Sequence, residues 1–206
     1  MRISPVAAAS VAVAAVLVVA TSGCGTHSTT STPKSGSATS ARSSRGPEPT
    51  SATPVGPGEY AGLLIKATDI HAPVTFTGSP PTENPNGQPG VATTFRDEDG
   101  SHLIKDTIRV FDDPAAATNA LNAAKSAQGD IVKKPTSRPA NIGTGGTTLS
   151  GDSPDGLKGV TVLLFTAGKA LVTLQFDGPP GSLVPQEFMT DVGQKQDAAV
   201  KKGLGG

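Results

Sequence analysis

The chain contains one cysteine, Cys24, which directly follows an apolar N-terminal run. A cysteine thiolate is a nucleophile and a metal ligand, and in exported proteins paired thiols form disulfides. Because the sequence offers no second cysteine, an internal disulfide is excluded. The sulfur of Cys24 is therefore expected either to carry another chemical group or to remain a reactive thiol.

The other residues that could bind a metal are dispersed. His27, His71 and His102 are the only histidines, and no pair of them has the spacing of a zinc site. The acidic run from Asp97 to Asp99 lacks the alternating positions and the distal glutamate of a calcium loop. We interpret that run as a solvated hairpin turn, and the sequence predicts neither a metal site nor a cofactor.

Two further motifs carry weak chemical signals. Gly151-Asp152-Ser153 is reminiscent of the surroundings of hydrolase serines, but Ser153 precedes a proline and no glycine frames it as in a nucleophile elbow. The glycine-rich run 143–146 lacks the following lysine and the helix start of a phosphate-binding loop. A glycine turn explains the run 143–146 better, no catalytic residue is assigned, and an enzyme is not favoured.

Asp106 is the one polar residue in line with apolar neighbours. By the two-residue period of a strand, it shares a face with Ile104, Ile108 and Val110. A buried carboxyl has a raised pKa and is a candidate for a binding pocket. The alternative, which we favour, is a hydrogen-bonded carboxylate or one at an exposed edge.

The leader explains the position of Cys24. Residues 3–20 are apolar and uncharged, slightly short for a membrane span, and they end in small residues, as a signal peptide does. The sequence Thr21-Ser22-Gly23-Cys24 resembles a bacterial lipobox, although Thr21 stands where leucine is usual. The resemblance implies cleavage between Gly23 and Cys24, and diacylglycerol and acyl chains on Cys24. Ordinary cleavage with a free thiol and an uncleaved anchor are the alternatives.

A tether follows the lipid site. Residues 24–57 consist almost wholly of Ser, Thr, Pro, Gly and Ala, which cannot bury enough apolar surface to offset the entropy lost on ordering. A flexible coil of this length reaches roughly 30 Å. The predicted organisation is a signal peptide at 1–23, a lipidated and disordered tether at 24–57, and one domain at 58–206.

All seven aromatic residues lie in that last segment, which must therefore hold the core. Alternating apolar residues predict a strand at 74–77, a hairpin over 91–111 and a second hairpin over 159–177. A helix is predicted at 59–66, another from Asp113-Pro114 to Gly129, and a last one from Pro185 to about Lys202, ended by Gly203. Residues 78–90 and 133–146 are interpreted as mostly irregular. These elements predict an α+β fold, an antiparallel β-sheet with two or three helices packed on one face.

The order from Arg96 to Leu204 is a strand, an alanine-rich helix, a glycine-punctuated stretch, a strand hairpin and a final helix. This order resembles the small single-domain cell-envelope lipoproteins of mycobacteria and other actinobacteria. The resemblance implies a lipid-anchored protein on the extracytoplasmic face of the cell membrane, and it supplies no catalytic residue.

The charge balance limits the classes of possible binding partner. With 17 basic and 17 acidic residues, the chain has no basic field for nucleic acid. The expected partners are the membrane, through the lipid anchor, and an envelope protein, lipid or glycan ligand. We expect a non-catalytic binding or sensing module; the alternative is a lipid or glycolipid carrier with an apolar cavity.

Overall fold

The most apolar part of the chain forms an antiparallel hairpin at the centre of a β-sheet. In the computed structural model, which describes residues 59–205, this sheet has eight strands, and all strand pairs are antiparallel. The strands are β1 (Phe76–Gly78), β2 (Thr82–Glu83), β3 (Gly90–Asp97), β4 (Leu103–Val110), β5 (Lys133–Pro139), β6 (Thr144–Asp152), β7 (Gly159–Ala167) and β8 (Ala170–Gly178). Their order is β1-β3-β4-β8-β7-β6-β5, and β2 also pairs with β3. The predicted antiparallel α+β class is confirmed.

Two α-helices accompany the sheet, α1 (Pro114–Ser126) and α2 (Gln186–Leu204). Helix α1 begins as predicted, because the Asp113 carboxylate accepts the backbone N–H of Ala116 at 2.8 Å. Helix α2 runs past the predicted stop and ends at Gly205, which takes the left-handed conformation at φ 72°. The helix predicted at 59–66 is replaced by two short 3-10 turns, Ala61–Leu63 and Ala67–Asp69.

The two long helices cover opposite faces of the sheet. Leu121 of α1 packs with Val162 and Leu164 of β7, whereas Val192 of α2 belongs to the core that contains Leu163. The sequence pattern predicts both helices on one face, and the structure differs. The difference arises because β7 is buried at every position, so its side chains need an apolar cover on both sides.

Residues 133–146, interpreted from the sequence as mostly irregular, contain β5 and the start of β6. Strand β5 is exposed at six of its seven positions and half-buried at the other, so no alternation of buried residues marks it. It carries two of the chain's prolines, which edge strands tolerate because only one side of the strand is paired. This edge strand is held by its pairing with β6.

Helix α2 holds the N-terminal segment through one buried side chain. Gln196, fully buried, accepts the backbone N–H of Ile65 at 3.0 Å and donates to the carbonyl of Leu63 at 2.7 Å. The Leu63 carbonyl ends the first 3-10 turn and the Ile65 N–H lies between the two turns, and no strand of the described sheet pairs with either group. The amide of Gln196 therefore replaces the missing backbone partners.

Gln196→Ala should lower the free energy of unfolding by about 2–4 kcal/mol, because it leaves a buried donor and a buried acceptor without partners. The measurement is urea denaturation of residues 24–206 carrying Cys24→Ser. Gln194→Ala, at an exposed position of the same helix, is the control and should change stability by less than about 0.5 kcal/mol. Equal losses of stability in the two variants would show that Gln196 does not hold the N-terminal segment in place.

Candidate functional site

An open groove lies beside α2 on the side of β4 and β8. We call it the apolar groove, and its volume is about 640 Å³, within the range of small-molecule sites. Its walls come from the segment 71–76, the adjoining ends of β4 and β8, the loop before α2 and the first turns of α2. The lining includes Val74, Phe76, Leu103, Ile104, Phe176, Leu183, Val184 and Phe188.

Three phenylalanines from three different elements meet in this groove. The rings of Phe76 and Phe188 stack with their centroids 6.4 Å apart, and Phe176 meets Phe188 edge to face at 6.2 Å. Phe76 and Phe176 are buried, whereas Phe188 is half-buried and still presents apolar surface. At the rim, Val74 is 46% exposed and Leu183 is 48% exposed. The groove therefore offers aromatic and aliphatic surface to a ligand from solvent.

A lysine fixes one wall of the groove to α2. The Nζ atom of Lys195 lies 2.8 Å from the carbonyl oxygen of Asp69, 3.0 Å from Nδ1 of His71 and 2.7 Å from a carboxylate oxygen of Asp191. Because His71 begins the wall segment, these contacts hold residues 71–74 beside α2. The wall is thus positioned by polar contacts that include His71 and Asp191, two of the lining residues.

A histidine–carboxylate pair lies at another part of the rim. Asp97 ends β3 and His102 directly precedes β4, so the hairpin turn brings them together; Nδ1 of His102 is 2.7 Å from the Asp97 carboxylate. The backbone N–H of His102 and the Ser101 hydroxyl also bond this carboxylate. Burial raises the pKa of Asp97, but these hydrogen bonds outweigh it and lower the pKa to about 2. Asp97 is therefore a fixed negative charge beside the ring.

This pair does not form a hydrolase relay among the described residues. A relay needs a nucleophile on the ring nitrogen opposite the carboxylate, whereas the hydroxyl of Ser101 lies 2.9 Å from the same Nδ1. Ser153 binds Asp155 and the backbone N–H of Lys158 in the turn between β6 and β7. Among residues 59–205, no histidine bonds Ser153; Gly151 and Asp152 of the motif end β6, and Ser153 begins the turn.

The glycine-rich run also serves a turn. A β-carbon at Gly143 would lie 2.6 Å from the carbonyl oxygen of Thr166, and its φ of 57° favours glycine. The run therefore packs closely against β7 at the start of β6. Within residues 59–205, no group of three His, Cys, Asp or Glu side chains is close enough to hold a metal ion.

Asp106 is completely buried on the face that α2 covers. Across the sheet it is registered with Thr93 of β3 and Leu174 of β8, and its carboxyl oxygens have no hydrogen-bond partner in the described part of the chain. The hydrogen-bonded or edge-exposed carboxylate that we favoured is therefore wrong. Burial raises the pKa of Asp106 to about 8. Asp106 does not line the apolar groove.

The pairing of Asp97 with His102 was not predicted from the sequence. The acidic run indicated a solvated turn at Asp97, but Asp97 is only 4% exposed and accepts three hydrogen bonds from residues 101 and 102. The sequence did contain a signal for this pairing, because a hairpin turn at 98–101 places residues 97 and 102 opposite each other. The predictions for Gly23, Cys24, His27 and the tether lie outside the described residues.

Comparison with known proteins gives a weak structural similarity. No family model and no curated protein matches this sequence. A solved structure described as the extracellular domain of PknH from Mycobacterium tuberculosis is similar, with 10% sequence identity and a TM-score of 0.46, covering 73% of this chain and 97% of that one. We transfer no residue role or ligand from it. Within residues 59–205, no helix has the length and apolar character that crossing a membrane requires.

The buried Asp106 should make stability depend on pH. Its folded pKa, about 8, lies above the ordinary pKa of an aspartic acid, so as the pH rises the unfolded chain loses the proton first. The free energy of unfolding should therefore fall from about pH 4 to pH 8, by up to about 1.4 kcal/mol per unit. In Asp106→Asn, which stays neutral, this part of the pH dependence should disappear.

Urea denaturation at several pH values measures the effect as the difference between wild type and variant. Asp112→Asn, at an exposed carboxylate, is the control and should run parallel to wild type. Parallel profiles for Asp106→Asn as well would contradict a raised pKa.

Proposed function

We propose that this chain is a lipid-anchored, extracytoplasmic binding module without catalytic activity, and that its apolar groove binds the acyl chain of an amphiphilic ligand. The observation that carries the proposal is the groove itself, about 640 Å³ in volume and lined by three phenylalanines and several aliphatic side chains. A fatty acyl chain gains free energy from leaving water for such a surface, at about 0.8 kcal/mol per buried methylene.

The polar groups near the groove suit a binding role. Several of them are engaged with one another, as Asp97 with His102 and Asp191 with Lys195. Pockets that bind ligands commonly combine an apolar lining with a few polar groups that fix orientation. A ligand with an apolar tail and a polar end matches this distribution.

The groove also supports the second candidate, the lipid or glycolipid carrier. A carrier must take up and release its cargo, and the exposed rim at Val74 and Leu183 leaves the groove open to solvent. A binding or sensing module would retain its ligand, whereas a carrier would exchange it between membranes. Transfer of a fluorescent lipid between two vesicle populations separates these candidates.

Val74→Glu should weaken the binding of a fluorescent fatty acid, cis-parinaric acid, at least tenfold, because a carboxylate beside the bound chain must lose water. The assay uses residues 24–206 with Cys24→Ser. Leu157→Glu is the matched control, since Leu157 is 66% exposed, lies in the turn between β6 and β7 and does not line the groove. Equal affinities of the two variants, or no binding by the parent chain, would refute the groove as the site.

The anchor has its own test. Cys24→Ala in the complete chain should move the protein from the membrane fraction to the soluble fraction, because stable attachment requires two or more acyl chains. Ser22→Ala keeps a small residue before the cysteine and should remain in the membrane fraction. A Cys24→Ala protein that still partitions wholly with membranes would exclude lipidation as the anchor.

A further inference from the structure

A second groove lies on the other side of α2, above β5, β6 and β7. We call it the polar groove, and its volume is about 770 Å³. Its lining differs from that of the apolar groove, since half of the described lining residues carry a hydroxyl or an amide and none of them is aromatic. Both grooves include Leu183 and Val184, which form a shared border in the loop before α2.

From these features we infer that the polar groove binds the carbohydrate headgroup of the amphiphile whose acyl chain occupies the apolar groove. The inference rests on the proposed function for the acyl half of the ligand. It adds the chemical class of the other half, a neutral polyhydroxylated group, and the site that receives it.

The side chains of the polar groove match hydroxyl groups. Gln186 and Gln194 project amides from α2, each with donors and an acceptor, and strand hydroxyls include Thr136 and Ser150. A sugar hydroxyl also donates and accepts, so both kinds of partner are useful to it. Such a lining can form hydrogen bonds with the many hydroxyl groups of a ligand that carries no net charge.

The charge of the groove argues against a multiply charged ligand. Arg138 is the only charged residue in the lining that the structure describes. Recognition of a phosphate is typically based on several cationic or backbone donors converging on one anion. One arginine among many neutral groups fits a neutral sugar better.

One buried hydroxyl points independently to a ligand. Thr161 of β7 lines the polar groove, is 4% exposed, and its Oγ1 has no hydrogen-bond partner among the described residues. By contrast, the hydroxyls of Thr148 and Thr190 in the same groove donate to backbone carbonyls. A buried polar group without a partner is costly, and a sugar hydroxyl in the groove would supply that partner.

Leu183 and Val184 line both grooves, so the grooves adjoin at the loop before α2. A ligand with its acyl chain on the Phe188 side and its headgroup on the Gln194 side would cross this border next to the start of α2. Two linked contacts bind more tightly than either alone, because the second forms at a high effective concentration. The headgroup should therefore add affinity to the chain.

The test displaces cis-parinaric acid from residues 24–206 carrying Cys24→Ser with two single-chain amphiphiles, each below its micelle concentration. Dodecyl maltoside and dodecylphosphocholine share the same tail and differ in the headgroup. We expect dodecyl maltoside to bind at least tenfold more tightly. Thr161→Val should weaken the maltoside about fivefold and leave dodecylphosphocholine unchanged, because valine keeps the shape and removes the hydroxyl.

Two further variants locate the effect. Thr173→Val is the matched control, since Thr173 is on the adjacent strand and lines neither groove. Gln194→Ala removes an exposed amide from the polar groove and should weaken the binding of dodecyl maltoside but not of dodecylphosphocholine. The test therefore does not depend on the buried Thr161 alone. Equal binding of the two amphiphiles, or equal effects of Thr161→Val and Thr173→Val, would overturn the inference and leave the proposed function standing. If neither amphiphile displaces the probe, the proposed function and this inference both fall.

Discussion

Strand β7 is buried at all nine of its positions, and this double-sided burial dictates how the rest of the domain is arranged. A strand whose successive side chains point to opposite faces needs an apolar cover on each. Helix α1 covers the side of Val162 and Leu164, and α2 covers the side of Leu163 and Phe165. Without either helix, a row of large aliphatic side chains at the centre of the sheet would face water.

The two grooves follow from the width of that sheet. Neighbouring strands lie about 4.8 Å apart, so seven strands side by side span roughly 29 Å, whereas one helix with its side chains is about 10 Å wide. Helix α2 therefore leaves sheet uncovered on both of its sides. What each groove offers a ligand depends on the strands beneath it. Strands β4 and β8 provide apolar residues, whereas β5 and β6 provide threonine, serine and arginine.

The sequence predicted the parts of this arrangement that depend on local rules. Asp113 followed by proline marks the start of α1, and alternating apolar residues mark β7 and β8. Strand β5 was not predicted, because the residues of an edge strand that face solvent or a polar groove show no apolar alternation. The prediction that both helices pack on one face is wrong because β7 has apolar residues at odd and even positions alike. Each face of the sheet therefore requires an apolar cover. The grooves depend on long-range packing between α2 and the sheet, which no local pattern encodes.

The two halves of helix α2 have different roles. In its C-terminal half, Gln196 holds the N-terminal segment and Val200 is fully buried, so these positions determine stability. In its N-terminal half, Phe188 lines the apolar groove and Thr190 lines the polar groove. Between the halves, Lys195 ties the wall segment at His71 to the helix. Met189 and Val192 of the N-terminal half are buried in the core, so only the positions of that half that face the grooves can vary without loss of packing.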